Sequence, residues 1–125
     1  MEDSRIWDFE QELWTGPADA YDRKVSDQVV MALPSDPWLF DGPQAREAVK
    51  DTPRWDEAIF ADTRVERPHE GLICIAYRVE ARQGERQYHA LCTSTLLRRG
   101  HEDWVVVQHQ QTPLGVPVAE PHKGT

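Results

Sequence analysis

The chain has 125 residues, five of them tryptophan, and a formal net charge of −8. That length makes one ordinary domain around a single core, and the negative charge repels phosphate backbones and excludes nucleic acid as a partner. The opening Met1-Glu2-Asp3-Ser4 is acidic where a signal peptide is basic, and no long apolar run follows, so a cytoplasmic protein without a membrane partner is expected.

Residues 4–15 read as a helix, with Ile6, Trp7, Phe9, Glu10, Leu13 and Trp14 on one side and Ser4 available as the cap. Gly16 stops it, and Pro17 opens a short second helix to about Lys24. Val25–Leu33 is strand-like, Pro34-Ser35-Asp36-Pro37 is a turn, and Trp38-Leu39-Phe40 is a short apolar return. Asp41-Gly42-Pro43 starts a third helix through Lys50, and Pro53–Ala58 is helical or irregular and carries Trp55. From Ile59 onward the pattern has period two, giving strands at 59–67, 72–82, 86–99 and 104–112. Residues 114–125, with Pro117 and Pro121, read as a flexible tail, leaving one domain over residues 1–113.

Charge follows this division. Residues 1–62 carry 15 acidic and 6 basic side chains, while residues 63–125 carry 7 and 8. Acidic helices beside a near-neutral sheet account for the difference. Cys74 and Cys92 lack Cys-x-x-Cys spacing, and the histidines at 69, 89, 101, 109 and 122 form no His-x-His or His-x-x-x-His pair. With no Gly-rich phosphate loop either, neither a metal nor a cofactor is expected.

Helices first and long antiparallel strands after imply an α+β fold, a cone-shaped curved sheet wrapped around N-terminal helices. Two motifs carry a resemblance. Gly42-Pro43-Gln44-Ala45-Arg46-Glu47-Ala48-Val49 is similar to the Gly-x-x-Ala-Ile opening of the third helix in the nuclear transport factor 2-like, ketosteroid isomerase-like superfamily. Trp104-Val105-Val106-Val107-Gln108-His109-Gln110-Gln111-Thr112 is similar to its last-strand pattern, Trp-Arg-Ile-x-x-x-His-x-Ser. The match spans residues 5–113 and most resembles the bacterial SnoaL-like subfamilies. This fold hosts isomerases, dehydratases, polyketide cyclases, epoxide hydrolases and non-catalytic association domains, so fold alone does not give function.

The resemblance implies where chemistry would sit. Steroid isomerases of this fold use a tyrosine from the first helices, a carboxylate base at the pocket mouth and a neutral acid from the sheet. Tyr21 matches the first and Asp36 or Asp41 the second, but no Asp or Glu lies between Gln87 and Leu97 or between Trp104 and Thr112. A site without that donor is expected to lack isomerase activity. A dehydratase-like site would draw on His89 or His109, yet a lone strand histidine is more often structural.

Side-chain parity sets the lining. Ile73, Ile75, Tyr77 and Val79 share a bulky apolar face, placed against the helices. A three-residue loop at Arg82-Gln83-Gly84 would set Cys74 opposite Cys92, as reduced neighbours, and turn His89, Leu91, Thr93, Thr95 and Leu97 inward. Parity does not decide the last strand. The resemblance puts Trp104, Val106, Gln108, Gln110 and Thr112 inside, with His109 and Gln111 on an outer face beside Cys74, Ala76, Cys92 and Ser94; the opposite assignment stays open.

On this reading Tyr21, Tyr77, Thr93, Gln108 and Gln110 hydrogen-bond a small organic ligand, Trp38 and Trp55 wall it, no residue is catalytic, and no buried carboxylate–histidine or carboxylate–tyrosine pair is expected in the cone. A homodimer through the outer sheet face is expected. The alternatives are a non-catalytic association module with a filled cone, or a weak lyase or isomerase of dehydratase or polyketide cyclase type.

Overall fold

The computed structural model describes residues 1–115. In chain order the elements are α1 (Asp3–Thr15), α2 (Ala20–Lys24), β1 (Val25–Ala32), β2 (Leu39–Phe40), α3 (Gly42–Lys50), β3 (Glu57–His69), β4 (Leu72–Gln83), β5 (Arg86–Gly100) and β6 (Asp103–Pro113). The strands form one mixed, unclosed curved sheet in the order β2-β1-β6-β5-β4-β3, with β1 parallel to β6, in an α+β cone. The expected helices and strands are all present. Pro53–Asp56 is irregular, and most of the expected tail, residues 116–125, lies outside the described residues.

Helix α1 buries Ile6, Glu10, Leu13 and Trp14, a stripe at i, i+4, i+7 and i+8. No side chain caps it, and its N-cap is Glu2 rather than Ser4. Burying a side chain the size of Ile6 contributes about 1.5–3 kcal/mol, and the stripe meets the inward residues Ile73, Ile75, Tyr77 and Val79 of β4 in one core. Trp7 closes the side of that contact, edge-on to Tyr77 at 5.7 Å and tilted on Phe60 at 5.8 Å. Helix α3 starts at a capping box: Asp41 accepts from the Gln44 amide at 2.8 Å, and Gln44 Oε1 accepts from the Asp41 amide at 2.9 Å. Asp41 is thereby a cap rather than a base.

Two features of register decide which side chains enter the cone. The β4–β5 hairpin pairs Gln83 with Arg86 across a two-residue loop, so Cys74 faces Thr95 and Cys92 faces Tyr77. The expected register is wrong by three residues. An odd slip exchanges the two faces of a strand, so Ala90, Cys92, Ser94 and Leu96 point inward and are buried. The cysteines are free and are not neighbours.

The second feature is a bulge in β6. Thr95 pairs with Gln108 but Leu96 pairs with Val106, leaving Val107 as an extra residue. Val106 faces the core as expected, and the bulge then reverses the alternation. His109 is buried, with Met31 of β1 beside it in register, and Gln108 and Gln110 lie on the outer face. The assignment drawn from the last-strand motif is therefore corrected beyond Val106.

Candidate functional site

Glu10 is completely buried at the centre of the apolar stripe of α1. A buried carboxylate is costly unless hydrogen-bonded. Its Oε2 accepts the Tyr77 hydroxyl at 2.5 Å and the Ser94 hydroxyl at 2.7 Å, while Oε1 has no partner. Trp14 Nε1 donates to Tyr77 Oη at 3.0 Å. The cone is held closed around one acid, and that acid comes from a helix rather than from the sheet.

The chain of donors continues to the histidine. Ser94 has a single hydroxyl proton, which goes to Glu10, so its oxygen accepts from His109 Nδ1 at 2.7 Å. The far nitrogen, His109 Nε2, lies 3.1 Å from Gln111 Nε2, an amide that can only donate. Gln111 Oε1 in turn accepts the Tyr88 hydroxyl at 2.9 Å. Every proton from Tyr88 through Gln111, His109 and Ser94 points toward Glu10. With Ser94 donating to Glu10 and Gln111 Nε2 facing the ring, a neutral imidazole with its proton on Nδ1 and a lone pair on Nε2 completes the chain.

Electrostatics agree with that assignment. Burial holds the His109 pKa below the ordinary histidine value, against the opposing pull of Glu10, whose Oε2 lies 3.7 Å from Nδ1. Burial and the adjacent Glu10 charge push the Tyr77 hydroxyl well above its ordinary value. The Cys92 thiol is pushed up to about 12, chiefly by burial, so it is no nucleophile.

His109 and Gln111 line a small inner chamber of about 50 Å³, with Trp14, Tyr21, Arg54 and Trp55 among its other walls. Such a space holds a few waters or the end of a small molecule. An outer chamber of about 230 Å³ adjoins it and shares Tyr21, Met31, Arg54, Trp55 and Gln111. Phe40, Val49, Tyr88 and Arg86 extend it outward. Trp55 stacks on Tyr88 at 5.6 Å and forms one flat wall.

Of the residues expected to bind a ligand, Tyr21 and Trp55 line both chambers. Tyr77 sits behind them, inside the Glu10 network. Thr93, Gln108 and Gln110 lie on the other side of the sheet, where Thr93 donates to Gln110 at 2.9 Å and Thr95 donates to Gln108 at 2.9 Å. Trp38 is 58% exposed and lines neither chamber. The expectation that no carboxylate–histidine or carboxylate–tyrosine pair occupies the cone is overturned by Glu10 with Tyr77, Ser94 and His109. The signal was legible: Glu10 is the one acid within the apolar stripe of the first helix. Among the described residues no cluster of three or more His, Cys, Asp and Glu side chains is arranged for a metal, and no helix is long and apolar enough to cross a membrane.

No family model matches the chain, and no curated protein matches it in sequence. Solved structures do match in fold. A provisional ketosteroid isomerase from Parabacteroides distasonis aligns with a TM-score of 0.79 at 16% identity, covering 92% of this chain and 89% of that one. An NTF2-like protein from Cytophaga hutchinsonii aligns at 0.74 and 12% identity, covering 91% and 99%. The association domain of CaMKII from C. elegans aligns at 0.69 and 16% identity, covering 87% and 90%. The inward helix stripe, the six-strand curved sheet and these neighbours agree, and the chain has the fold of the nuclear transport factor 2-like, ketosteroid isomerase-like superfamily.

Proposed function

We propose that this domain binds a small organic molecule in the paired chambers and moves a proton on it, as an isomerase or lyase does. His109 is the general base and Glu10 the group that stabilises its charged form. The observation that carries this reading is the one-way hydrogen-bond chain ending at Glu10, with His109 Nε2 on the chamber side. A ligand C–H or O–H that displaces the Gln111 amide can give its proton to Nε2. The imidazolium so formed keeps its Nδ1 bond to Ser94 and lies 3.7 Å from the Glu10 carboxylate. A positioned base of this kind typically contributes 10²–10⁴-fold in rate. The motif resemblance to the SnoaL-like subfamilies accords with a small-ligand site.

Deuterium wash-in tests this without knowledge of the substrate. Small ketones, keto acids and hydroxy acids are incubated with the protein in D2O and followed by proton NMR. Loss of an α-proton signal with the wild type is expected, slowed about 10²–10⁴-fold by His109→Asn. If compounds that shift the His109 resonances on binding exchange no proton, the catalytic reading fails.

A homodimer through the outer sheet face is a second proposal. There Thr93, Thr95, Gln108 and Gln110 satisfy one another across the strands, which lowers the cost of removing them from water. Leu91, Leu97 and Ile59 stay 44%, 41% and 51% exposed on the same face. Sedimentation at micromolar concentration should give a dimer, and Thr95→Arg a monomer; a monomeric wild type contradicts the proposal. The two unpaired cysteines fit a reducing, cytoplasmic setting.

A further inference from the structure

We propose that the ligand is a small carboxylate, its anionic end held by Arg54 and Arg86 and its other end directed at His109. The inference rests on the reading of the His109 chambers as a ligand site and adds the charge and polarity of what enters them. Its first ground is an imbalance. The chain carries a net charge of −8, yet neither chamber has an Asp or Glu among the described residues that line it, while Arg54 lines both and Arg86 lines the outer one.

The second ground is independent of the cavity. Among the described residues every arginine and lysine has a carboxylate within 4.0 Å except two. Those two are Arg54 and Arg86. Among the described residues, the cations without a carboxylate partner are thus concentrated at one opening.

Both guanidinium groups are held in place by contacts other than carboxylates among the described residues. Arg54 donates through Nε to Gly16 O at 2.7 Å and through Nη2 to Leu13 O, and it lies over the Tyr21 ring at 5.5 Å. Arg86 lies over Trp55 at 5.0 Å, on the wall that Tyr88 completes. Guanidinium groups pair with carboxylates in a planar, two-bond geometry. The rest of the outer chamber, including Phe40, Val49 and Leu33, is apolar and suits a short carbon skeleton. A chamber of about 230 Å³ takes a molecule of about ten non-hydrogen atoms, smaller than a drug-sized ligand.

Benzoate and benzamide have one shape and differ in charge, so they separate the inference from the reading beneath it. Calorimetry should give benzoate about tenfold tighter than benzamide, the discrimination one charge-assisted hydrogen bond supplies. Arg86→Gln, at an exposed position, should remove most of that preference, and Arg54→Lys should weaken it while keeping the charge. His109 imidazole resonances should move with benzoate in the wild type. Equal affinity for the two probes, or a benzoate preference that survives both substitutions, overturns the anion inference. If benzamide moves the His109 resonances and binds as tightly as benzoate, the chambers remain a ligand site and only the anion inference falls. If neither probe moves them at millimolar concentration, both fall.

Discussion

Glu10→Leu is expected to cost the domain about 3–5 kcal/mol, the usual loss when one partner leaves a buried charged network. For a domain of ordinary stability, roughly 5–15 kcal/mol, that is a large share of the total. The physical reason is the convergence of donors. Tyr77 and Ser94 both direct their hydroxyl protons at Glu10 Oε2. Leucine keeps the apolar stripe of α1 continuous, so a gain in packing offsets part of the loss. Glu10→Gln should cost less, about 1–3 kcal/mol. Its carbonyl oxygen still accepts from Tyr77 and Ser94, and its amide sits where Oε1 has no partner. Urea denaturation measures both, and a loss below about 1 kcal/mol for Glu10→Leu would mean that this carboxylate does not hold the core together.

The second large effect concerns pH. His109 has a pKa lowered in the folded state, so below the ordinary histidine value of about 6.5 the unfolded chain binds a proton that the folded chain resists. Its contribution to stability is therefore complete above about pH 6.5. It is lost as the pH falls from there through the lowered folded value. Acidification through this window should lower the unfolding free energy. His109→Asn, which can still donate to Ser94 Oγ but cannot titrate, should remove that part of the slope while leaving the loss at lower pH that carboxylates cause. In Glu10→Gln the His109 pKa should fall further, since Glu10 raises it in the native protein. Histidine resonances followed by NMR over pH 4–8 check both effects. An unchanged slope in His109→Asn would show that the imidazole is not what couples folding to acid.

Much of the architecture is readable from residue pattern. Ile6, Leu13 and Trp14 announce the first helix, Asp41-Gly42-Pro43 the third, and period-two runs the four long strands, because each signal is local. What the residues do not reveal is non-local. The β4–β5 register turns on whether the hairpin loop holds two residues or three, a difference that Gln83-Gly84-Glu85 does not specify, and an odd slip carries Ser94 and Cys92 from one face to the other. The Val107 bulge is set by how β6 fits against β5 and β1 together, and it exchanges Gln108 for His109 inside the cone. Glu10 is a different case. Its position in an apolar stripe is visible from the start, but an acid sought only on the strands is not found on a helix.

The proposed base is a neutral His109, protonated on Nδ1 toward Ser94 and Glu10, with the Nε2 lone pair facing the Gln111 amide that also lines the chamber. Long-range proton–nitrogen NMR of the imidazole at pH 7 tests it most directly. A chain running from Tyr88 to Glu10 predicts a protonated, pyrrole-like Nδ1 and an unprotonated, pyridine-like Nε2, with the Nε2 signal shifting when a ligand enters. A ring protonated on Nε2 alone, or on both nitrogens at pH 7, would contradict the assigned order of hydrogen bonds and with it the proposed base.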